Sequence, residues 1–173
     1  WIAEKHPHIV KRIDEAGHDI GTHSHYHQLV YNQTESEFRT DLSKSINTLS
    51  DLTGKVVNAY RAPGFSIKES SMWAFDVLAE EGIRFDSSVF PANRAHGGLP
   101  QFTTDQPCKV ITHRGHELIE LPMSTASILG TRFVFSGGGY FRLLPEWYLK
   151  RLFASKDYVM TYFHPRDFDT AQP

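Results

Sequence analysis

Three histidines stand at alternate positions, His23, His25 and His27, within the segment Gly21–His27. Imidazole is the commonest metal ligand in proteins, and so dense a cluster favours a metal site over unrelated surface side chains. In an extended strand all three rings would share one face. In a turn or a helical bend only His23 and His27 would meet, four residues apart. Both geometries include His23 and His27, which are therefore the candidate ligands.

The competing interpretation is a polar loop with incidental histidines, or a single buried and hydrogen-bonded ring. This interpretation is strongest for His25, which only the extended geometry would bring to the site. Zinc sites in proteins generally have three or four protein ligands, so two imidazoles alone do not complete one. The cluster therefore needs further residues from elsewhere in the chain.

Such residues follow the predicted strands. Four of the predicted strands are each followed or ended by a reactive side chain: His18–Thr22 by His23, Val56–Tyr60 by Arg61, Ile83–Phe85 by Asp86, and Tyr158–Phe163 by His164. In an α/β barrel the carboxyl ends of the strands form one face, where catalytic groups collect. We therefore expect these side chains to lie close together.

Helical patterns separate the strands and must position them. Helices are predicted over Pro7–Glu15, from a capping box at Thr34–Glu37 to Gly54, over Lys68–Glu81, and after Pro145. Strands alternating with helices indicate the α/β class with mainly parallel pairing. An open doubly wound sheet is the competing architecture, but no glycine-rich phosphate loop follows any strand.

The region between the third and the last strand has a different pattern. Residues 90–106 predict a long irregular loop, and Val110–Thr112 with Leu118–Leu121 predict a hairpin. Gly137–Gly139 predicts either a flexible segment or a close approach of the backbone to another group.

Composition narrows the classes of function. The chain has 173 residues, 40% hydrophobic, with a net charge of -2 and one cysteine. These values suit one globular domain and give no electrostatic case for nucleic acid or an anionic membrane. They also exclude an internal disulfide, and no apolar run reaches the roughly 18 residues of a membrane span. Because the chain opens at Trp1 without a methionine, we interpret residues 1–173 as one domain truncated at both ends.

The residues after the strands resemble the motifs of the polysaccharide deacetylase (NodB-homology) family, carbohydrate esterase family 4. The resemblance is greatest to a bacterial branch found beside exopolysaccharide and exosortase loci, and it runs through nearly all of the chain. The matching segments are His23–His27 for His-Ser/Thr-x-x-His, Arg61–Pro63 for Arg-x-Pro, Phe85–Ser88 for the acidic motif, and Tyr162–His164 for the final hydrophobic-x-His motif.

The resemblance implies an α/β fold, a distorted, incomplete (β/α)7-type barrel that lacks its first strands. It implies a single polysaccharide deacetylase catalytic domain that hydrolyses N-acetyl groups of an amino-sugar polysaccharide with a divalent metal, commonly zinc. It further implies these roles: His23 and His27 as metal ligands, Arg61 orienting the base carboxylate, Gly64 in the oxyanion hole, His164 as general acid, and Asp86, Phe65 and Tyr162 in contact with substrate.

One family motif has no counterpart here. The Thr-Phe-Asp-Asp motif supplies the base and a metal ligand, and nothing in Trp1–His18 resembles it. We therefore expect this chain by itself to bind metal weakly and to be a poor catalyst, and we assign the activity to a longer parent. Two alternatives stay open: a small-molecule amide hydrolase of the same fold, and a non-catalytic glycan-binding or assembly module. The oligomeric state and the compartment, cytoplasm or cell envelope, also stay open.

Overall fold

The computed structural model describes residues 1–94 and 97–171. Its helices are α1 (Ile2–Lys5), α2 (Pro7–Glu15), α3 (Glu35–Thr53), α4 (Trp73–Glu80), α5 (Gly138–Leu143) and α6 (Glu146–Ala154). Its strands are β1 (Ala59–Tyr60), β2 (Phe85–Asp86), β3 (Cys108–Ile111), β4 (Glu117–Glu120), β5 (Thr125–Ile128) and β6 (Thr131–Val134). The predicted α/β class is confirmed.

The central sheet has the strand order β1-β2-β4-β3. The pairs β1–β2 and β2–β4 are parallel, whereas β3 and β4 form the predicted antiparallel hairpin. The parallel register places Tyr60 beside Asp86 and Asp86 beside Glu120. The carboxyl ends of three strands therefore meet at one edge, where the side chains that follow the strands were expected to lie close together. The incomplete (β/α)7-type barrel stays a prediction, since the described residues form an open sheet.

The first predicted strand, His18–Thr22, was wrong in its extent. Only Thr22 pairs with the sheet, through one isolated parallel bridge to Tyr60. The Thr22 amide donates to the Ala59 carbonyl at 2.8 Å, and the chain then bends away into the histidine loop. The neighbouring strand β1 spans only two residues rather than the predicted Val56–Tyr60. A longer strand before Thr22 would therefore have no residues of β1 to pair with.

The last predicted strand, Tyr158–Phe163, was also too long. Tyr162 makes one isolated parallel bridge to Gly137, and its amide donates to the Ser136 carbonyl at 3.2 Å. The pairing ends there because α5 begins at the residue after Gly137. A Cβ at position 137 would lie 2.2 Å from the Tyr162 carbonyl oxygen, so the glycine segment serves a close backbone approach.

A second hairpin, β5–β6, was not predicted from the sequence. Its two turn residues, Leu129 and Gly130, have φ of 50° and 81°, the signature of a type I′ turn. Asparagine or aspartate is the usual first residue of that turn, so leucine conceals the signal. The predicted irregular loop over residues 90–106 has no helix or strand in its described part, and residues 95 and 96 lie outside the described residues.

Helix α3 forms as predicted and supplies much of the core. The Thr34 hydroxyl accepts from the Glu37 amide while the Glu37 carboxylate accepts from the Thr34 amide, and the helix ends at Gly54 with φ of 70°. Phe38 and Leu42 on its inner face are fully buried. Helix α4 is shorter than predicted because Glu69–Ser71 forms a separate 3₁₀ turn before it. No helix among the described residues is long and apolar enough to cross a membrane.

An ion pair joins the irregular loop to the second hairpin and to the end of α6. Asp105 accepts from the Lys156 ammonium at 2.7 Å and from the Thr125 amide and hydroxyl at 3.0 and 2.9 Å. Partial burial raises the pKa of Asp105, but these hydrogen bonds outweigh that effect and bring it down to about 2. The pair therefore stabilises the fold above the ordinary carboxyl pKa, and the contribution is lost as the pH falls towards 2.

We expect Asp105→Asn to lower the free energy of unfolding at pH 7 by about 1 kcal/mol, a value reduced for solvent screening. The difference from the unmodified chain should shrink as the pH falls below about 4, because Asp105 then takes up a proton in the unfolded chain while it is still ionised in the folded chain, where its pKa is about 2. Urea unfolding at pH 7 and pH 3 measures both effects. Asp157→Asn, at a nearby exposed position, is the matched control, and an equal loss at both pH values would contradict the assignment.

Candidate active site

The histidines lie in a tight loop that follows Thr22. Ser24 and His27 have positive φ, 71° and 57°, and the His27 amide donates to the Ser24 hydroxyl at 2.8 Å. This bend brings the rings of His23 and His27 together, with 5.1 Å between their centroids. The structure therefore has the bend geometry, in which two of the three rings meet, and excludes the extended one.

The ring of His25 has partners other than this pair. Its Nε2 lies 3.6 Å from a carboxylate oxygen of Glu4, and its ring packs edge-on against Tyr26. The backbone amides of His25 and Tyr26 donate to the buried carboxylate of Asp41, at 3.0 and 2.7 Å. Asp41 was not predicted as a functional residue, although a carboxylate between Phe38 and Leu42 on the apolar side of a helix is the signal that identifies it.

We expect Asp41→Ala to lower the free energy of unfolding by about 2 kcal/mol, because two partly buried amides lose a charged acceptor. The loop that pairs His23 with His27 should also loosen, so that affinity for zinc falls. Urea unfolding and a zinc titration measure the two effects. Asp51→Ala, at an exposed position of the same helix, is the control, and equal results for the two variants would contradict this role.

His23 is held by a carbonyl of the neighbouring strand end. Its Nδ1 lies 2.6 Å from the Arg61 carbonyl oxygen, so Nδ1 carries the proton and Nε2 has a free lone pair. Loss of solvation lowers the pKa of His23, and the nearby His27, Arg61 and His164 lower it further against that hydrogen bond. The imidazole is therefore neutral at neutral pH, which is the form that binds metal.

The side chain of Arg61 lies in the same region as His23. Its Nε and one terminal nitrogen donate to the carbonyl and hydroxyl of Ser87 at 3.2 and 2.9 Å, and the other donates to the Thr161 carbonyl at 3.4 Å. Desolvation lowers the pKa of Arg61, the direction expected for a cation held away from water. Within residues 1–94 and 97–171 the guanidinium forms no ion pair, and its hydrogen bonds go to Ser87 and to the Thr161 carbonyl.

Asp86 and Glu120 form a fully buried carboxyl pair behind the site. Asp86 accepts from the Ser88 amide and hydroxyl at 3.1 and 2.6 Å, and Glu120 accepts from the Val89 amide at 3.0 Å. Desolvation raises the pKa of both carboxyls. Ionising both would also place two like charges side by side, which is unfavourable. Among the residues that the structure describes, the second oxygen of Glu120 is buried without a hydrogen-bond partner, and a proton shared with Asp86 would give it one.

Asp86 is among the residues that line the cavity, although it is fully buried. Its predicted contact with substrate would require the carboxylate to leave Ser88, and that role stays a prediction. Glu120 was not predicted, because alternation within a strand does not show which neighbour a buried glutamate will meet.

The turn after Arg61 has an unusual backbone. Gly64 and Phe65 both have positive φ, 62° and 53°. The Phe65 carbonyl accepts from the Gly98 amide at 2.9 Å, whereas the Gly64 amide has no acceptor among the described residues. The Phe65 ring is buried and packs against Tyr162, with 5.1 Å between centroids. The turn thus presents an unpaired amide beside an aromatic wall.

These elements enclose one cavity of about 630 Å³. The predicted site residues that line it are His23, Arg61, Gly64, Phe65, Asp86, Tyr162 and His164. The His27 ring lies outside this wall but against His23. The His164 side chain is 55% exposed, so its ring can meet a ligand entering from solvent. The structure therefore brings the early histidine loop and the late histidine to one cavity.

Two family models divide the chain. The model described as "Polysaccharide deacetylase" matches residues 1–84, and the model described as "Domain of unknown function (DUF3473)" matches residues 87–173. Strand β2 (Phe85–Asp86) lies between the two matched regions. The cavity takes His23, Arg61 and Gly64 from the first region and Tyr162 and His164 from the second.

Curated proteins named as deacetylases are also similar to this chain. A peptidoglycan-N-acetylglucosamine deacetylase of Bacillus cereus is 28% identical over 147 residues, covering 69% of this chain and 54% of that protein. A peptidoglycan deacetylase of Helicobacter pylori is 32% identical over 80 residues, covering 46% and 26%. The chain thus spans about half or less of the length of these curated relatives.

A solved structure matches the fold. The crystal structure of a Mycobacterium smegmatis protein assigned to the polysaccharide deacetylases superimposes with a TM-score of 0.57 at 28% identity, over 70% of this chain and 37% of that one. Together the two family models cover nearly all of the sequence. The chain therefore belongs to the family that carries the DUF3473 domain, over residues 87–173, and its residues 1–84 match the model of the polysaccharide deacetylase family.

Proposed function

We propose that the protein containing this chain is a metal-dependent hydrolase that removes N-acetyl groups from an amino-sugar polysaccharide, an exopolysaccharide. The observation that carries the proposal is the single cavity shared by His23, Arg61, Gly64 and His164. Two relatives named as deacetylases of peptidoglycan support the class of bond. We further propose that residues 1–173 act as one catalytic domain, because both family-matched regions line that cavity.

His23 and His27 would hold the divalent metal, for which we propose zinc. The fit rests on their adjacent rings and on the Nδ1 hydrogen bond that leaves Nε2 of His23 free, an arrangement typical of metal-binding histidines. The described part of the chain has no group of three histidine, cysteine, aspartate or glutamate side chains suited to one ion. A further ligand would therefore come from another segment. Bound zinc would polarise the acetamide carbonyl and lower the pKa of a water molecule to about 7.

Arg61 would hold the carboxylate of the general base. A buried guanidinium that already donates to Ser87 is fixed in position, and its unpaired charge would keep a neighbouring carboxylate ionised.

Gly64 and His164 would act on opposite ends of the scissile amide. The unpaired Gly64 amide would donate to the oxygen of the tetrahedral adduct, where negative charge develops. The exposed His164 imidazole would protonate the amine, which is a poor leaving group without a proton.

Phe65, Tyr162 and Asp86 would contact the sugar. The rings of Phe65 and Tyr162 meet edge to face in the cavity wall, and aromatic faces suit the apolar faces of pyranose rings. Asp86 would act from its buried position beside Ser88 only after a change of partner.

Acetate release by the full-length protein tests this function. An oligomer of β-linked N-acetylglucosamine should release acetate, a chelator should abolish the release, and added zinc should restore it. Hydrolysis restricted to small acylated amides would favour the alternative substrate class. Glycan binding that a chelator leaves unchanged, without acetate release, would show a non-catalytic module instead.

A further inference from the structure

His164 has an acidic neighbour that the family motifs do not name. The 3₁₀ turn Pro165–Phe168 returns Asp167 to His164, whose amide donates to the Asp167 carboxylate at 2.8 Å. The same carboxylate oxygen lies 3.5 Å from Nδ1 of the His164 ring. Two separate contacts therefore tie the aspartate to both the backbone and the ring of the histidine.

The position of Asp167 is itself restrained. Its side chain is 10% exposed although that of His164 is 55% exposed, and its other oxygen lies 3.9 Å from the Arg142 guanidinium on α5. The backbone hydrogen bond from His164 lowers the pKa of Asp167, as do the charges of His164 and Arg142. The aspartate is therefore charged at neutral pH and held between the histidine and an arginine.

This arrangement suits a histidine that gives up a proton. A carboxylate on Nδ1 selects the tautomer, orients the ring and stabilises the imidazolium form. When the C–N bond of the tetrahedral adduct breaks, its electron pair goes to the amine nitrogen, which takes the Nε2 proton of His164. The imidazole that results keeps its Nδ1 proton towards Asp167.

We propose that Asp167 is the positioning residue of the general acid His164, and that the DUF3473 region supplies the residues on the acid side of the site. The proposal rests on the proposed function. His164, Asp167 and Arg142 all lie within residues 87–173, which that model matches. The DUF3473 region would thus be part of the catalytic apparatus, not a separate module.

Asp167→Asn tests the role of the charge, because asparagine still offers an oxygen to the His164 amide. Turnover of the N-acetylglucosamine oligomer should fall roughly 10- to 100-fold, the range typical of losing a partner that orients a functional histidine. Turnover of 4-nitrophenyl acetate should change less than about threefold, because an aryloxide leaves without a proton. Asp167→Glu should restore most of the oligomer activity.

The controls separate positioning from simple destabilisation. Asp169→Asn changes a carboxylate that accepts from the Ala171 amide, and it should affect neither substrate. Adding Asp167→Asn to His164→Ala should cause no further loss, since both changes remove one function. An equal fall on both substrates, or unchanged oligomer turnover in Asp167→Asn, would overturn the proposal.

A spectroscopic measurement separates this proposal from the proposed function. Nitrogen-15 shifts of the His164 ring should show protonation at Nδ1 in the unmodified protein and a mixture of tautomers in Asp167→Asn. This result would support the positioning role even if the unmodified protein released no acetate, an outcome that removes the proposed function. Identical tautomer populations in the two proteins would overturn the positioning role whatever the activity.

Discussion

His23→Ala in the full-length protein is expected to abolish both zinc retention and acetate release. The variant removes a neutral imidazole whose Nε2 is left free by the hydrogen bond from Nδ1 to the Arg61 carbonyl. Loss of a ligand should exceed the roughly 100-fold loss of metal affinity that removal of a ligand's hydrogen-bond partner can cause. His27→Ala should behave in the same way, because its ring lies against that of His23. Metal content by mass spectrometry and acetate release by an enzymatic assay measure the two effects.

The same loop provides the matched control. His25→Gln replaces a ring that faces Glu4, so this variant should retain zinc and turnover. Normal turnover in His23→Ala or His27→Ala would remove the assignment of the metal site. Loss of zinc in all three variants would show that the loop as a whole, rather than the pair, is needed.

His164→Ala should leave the zinc content unchanged and lower turnover of the acetamide roughly 10²- to 10⁴-fold, the usual contribution of a general acid. The separation is expected because His164 lies in the part of the cavity wall that the second region supplies, whereas His23 and His27, the proposed metal ligands, lie in the first region. Steady-state kinetics on the oligomer and metal analysis of the same sample measure it. His113→Ala, in the exposed turn of the β3–β4 hairpin, is the control. Lost zinc in His164→Ala would show that the role of acid is wrong.

Local patterns predicted the elements whose ends are defined by neighbouring residues. The capping box at Thr34 and the glycine at position 54 define α3, because both ends depend on contacts within a few residues. The β3–β4 hairpin was predicted for the same reason. The β5–β6 hairpin was missed because its turn is formed by Leu129, an uncommon residue at a positive φ.

Residues of the candidate site could be predicted from the sequence where their chemical type and their spacing pointed to the same place. They could not be predicted where their position depends on contacts with residues far away in the sequence. The spacing of His23 and His27 left strand and bend geometries open. The choice between them depends on Asp41, which holds the loop from a helix 16 residues away. Glu120 is similar, because its neighbour Asp86 arrives through parallel pairing of β2 and β4, which alternation alone does not specify.

The buried pair of Asp86 and Glu120 has a thermodynamic consequence for the whole molecule. Both carboxyls are ionised in the unfolded chain at neutral pH, whereas the folded chain keeps one of them protonated because its pKa is raised by desolvation. Folding at neutral pH is therefore coupled to proton uptake from the buffer. The stabilising contribution is complete below the ordinary carboxyl pKa and declines as the solution becomes more alkaline, whereas the contribution of Asp105 declines in acid.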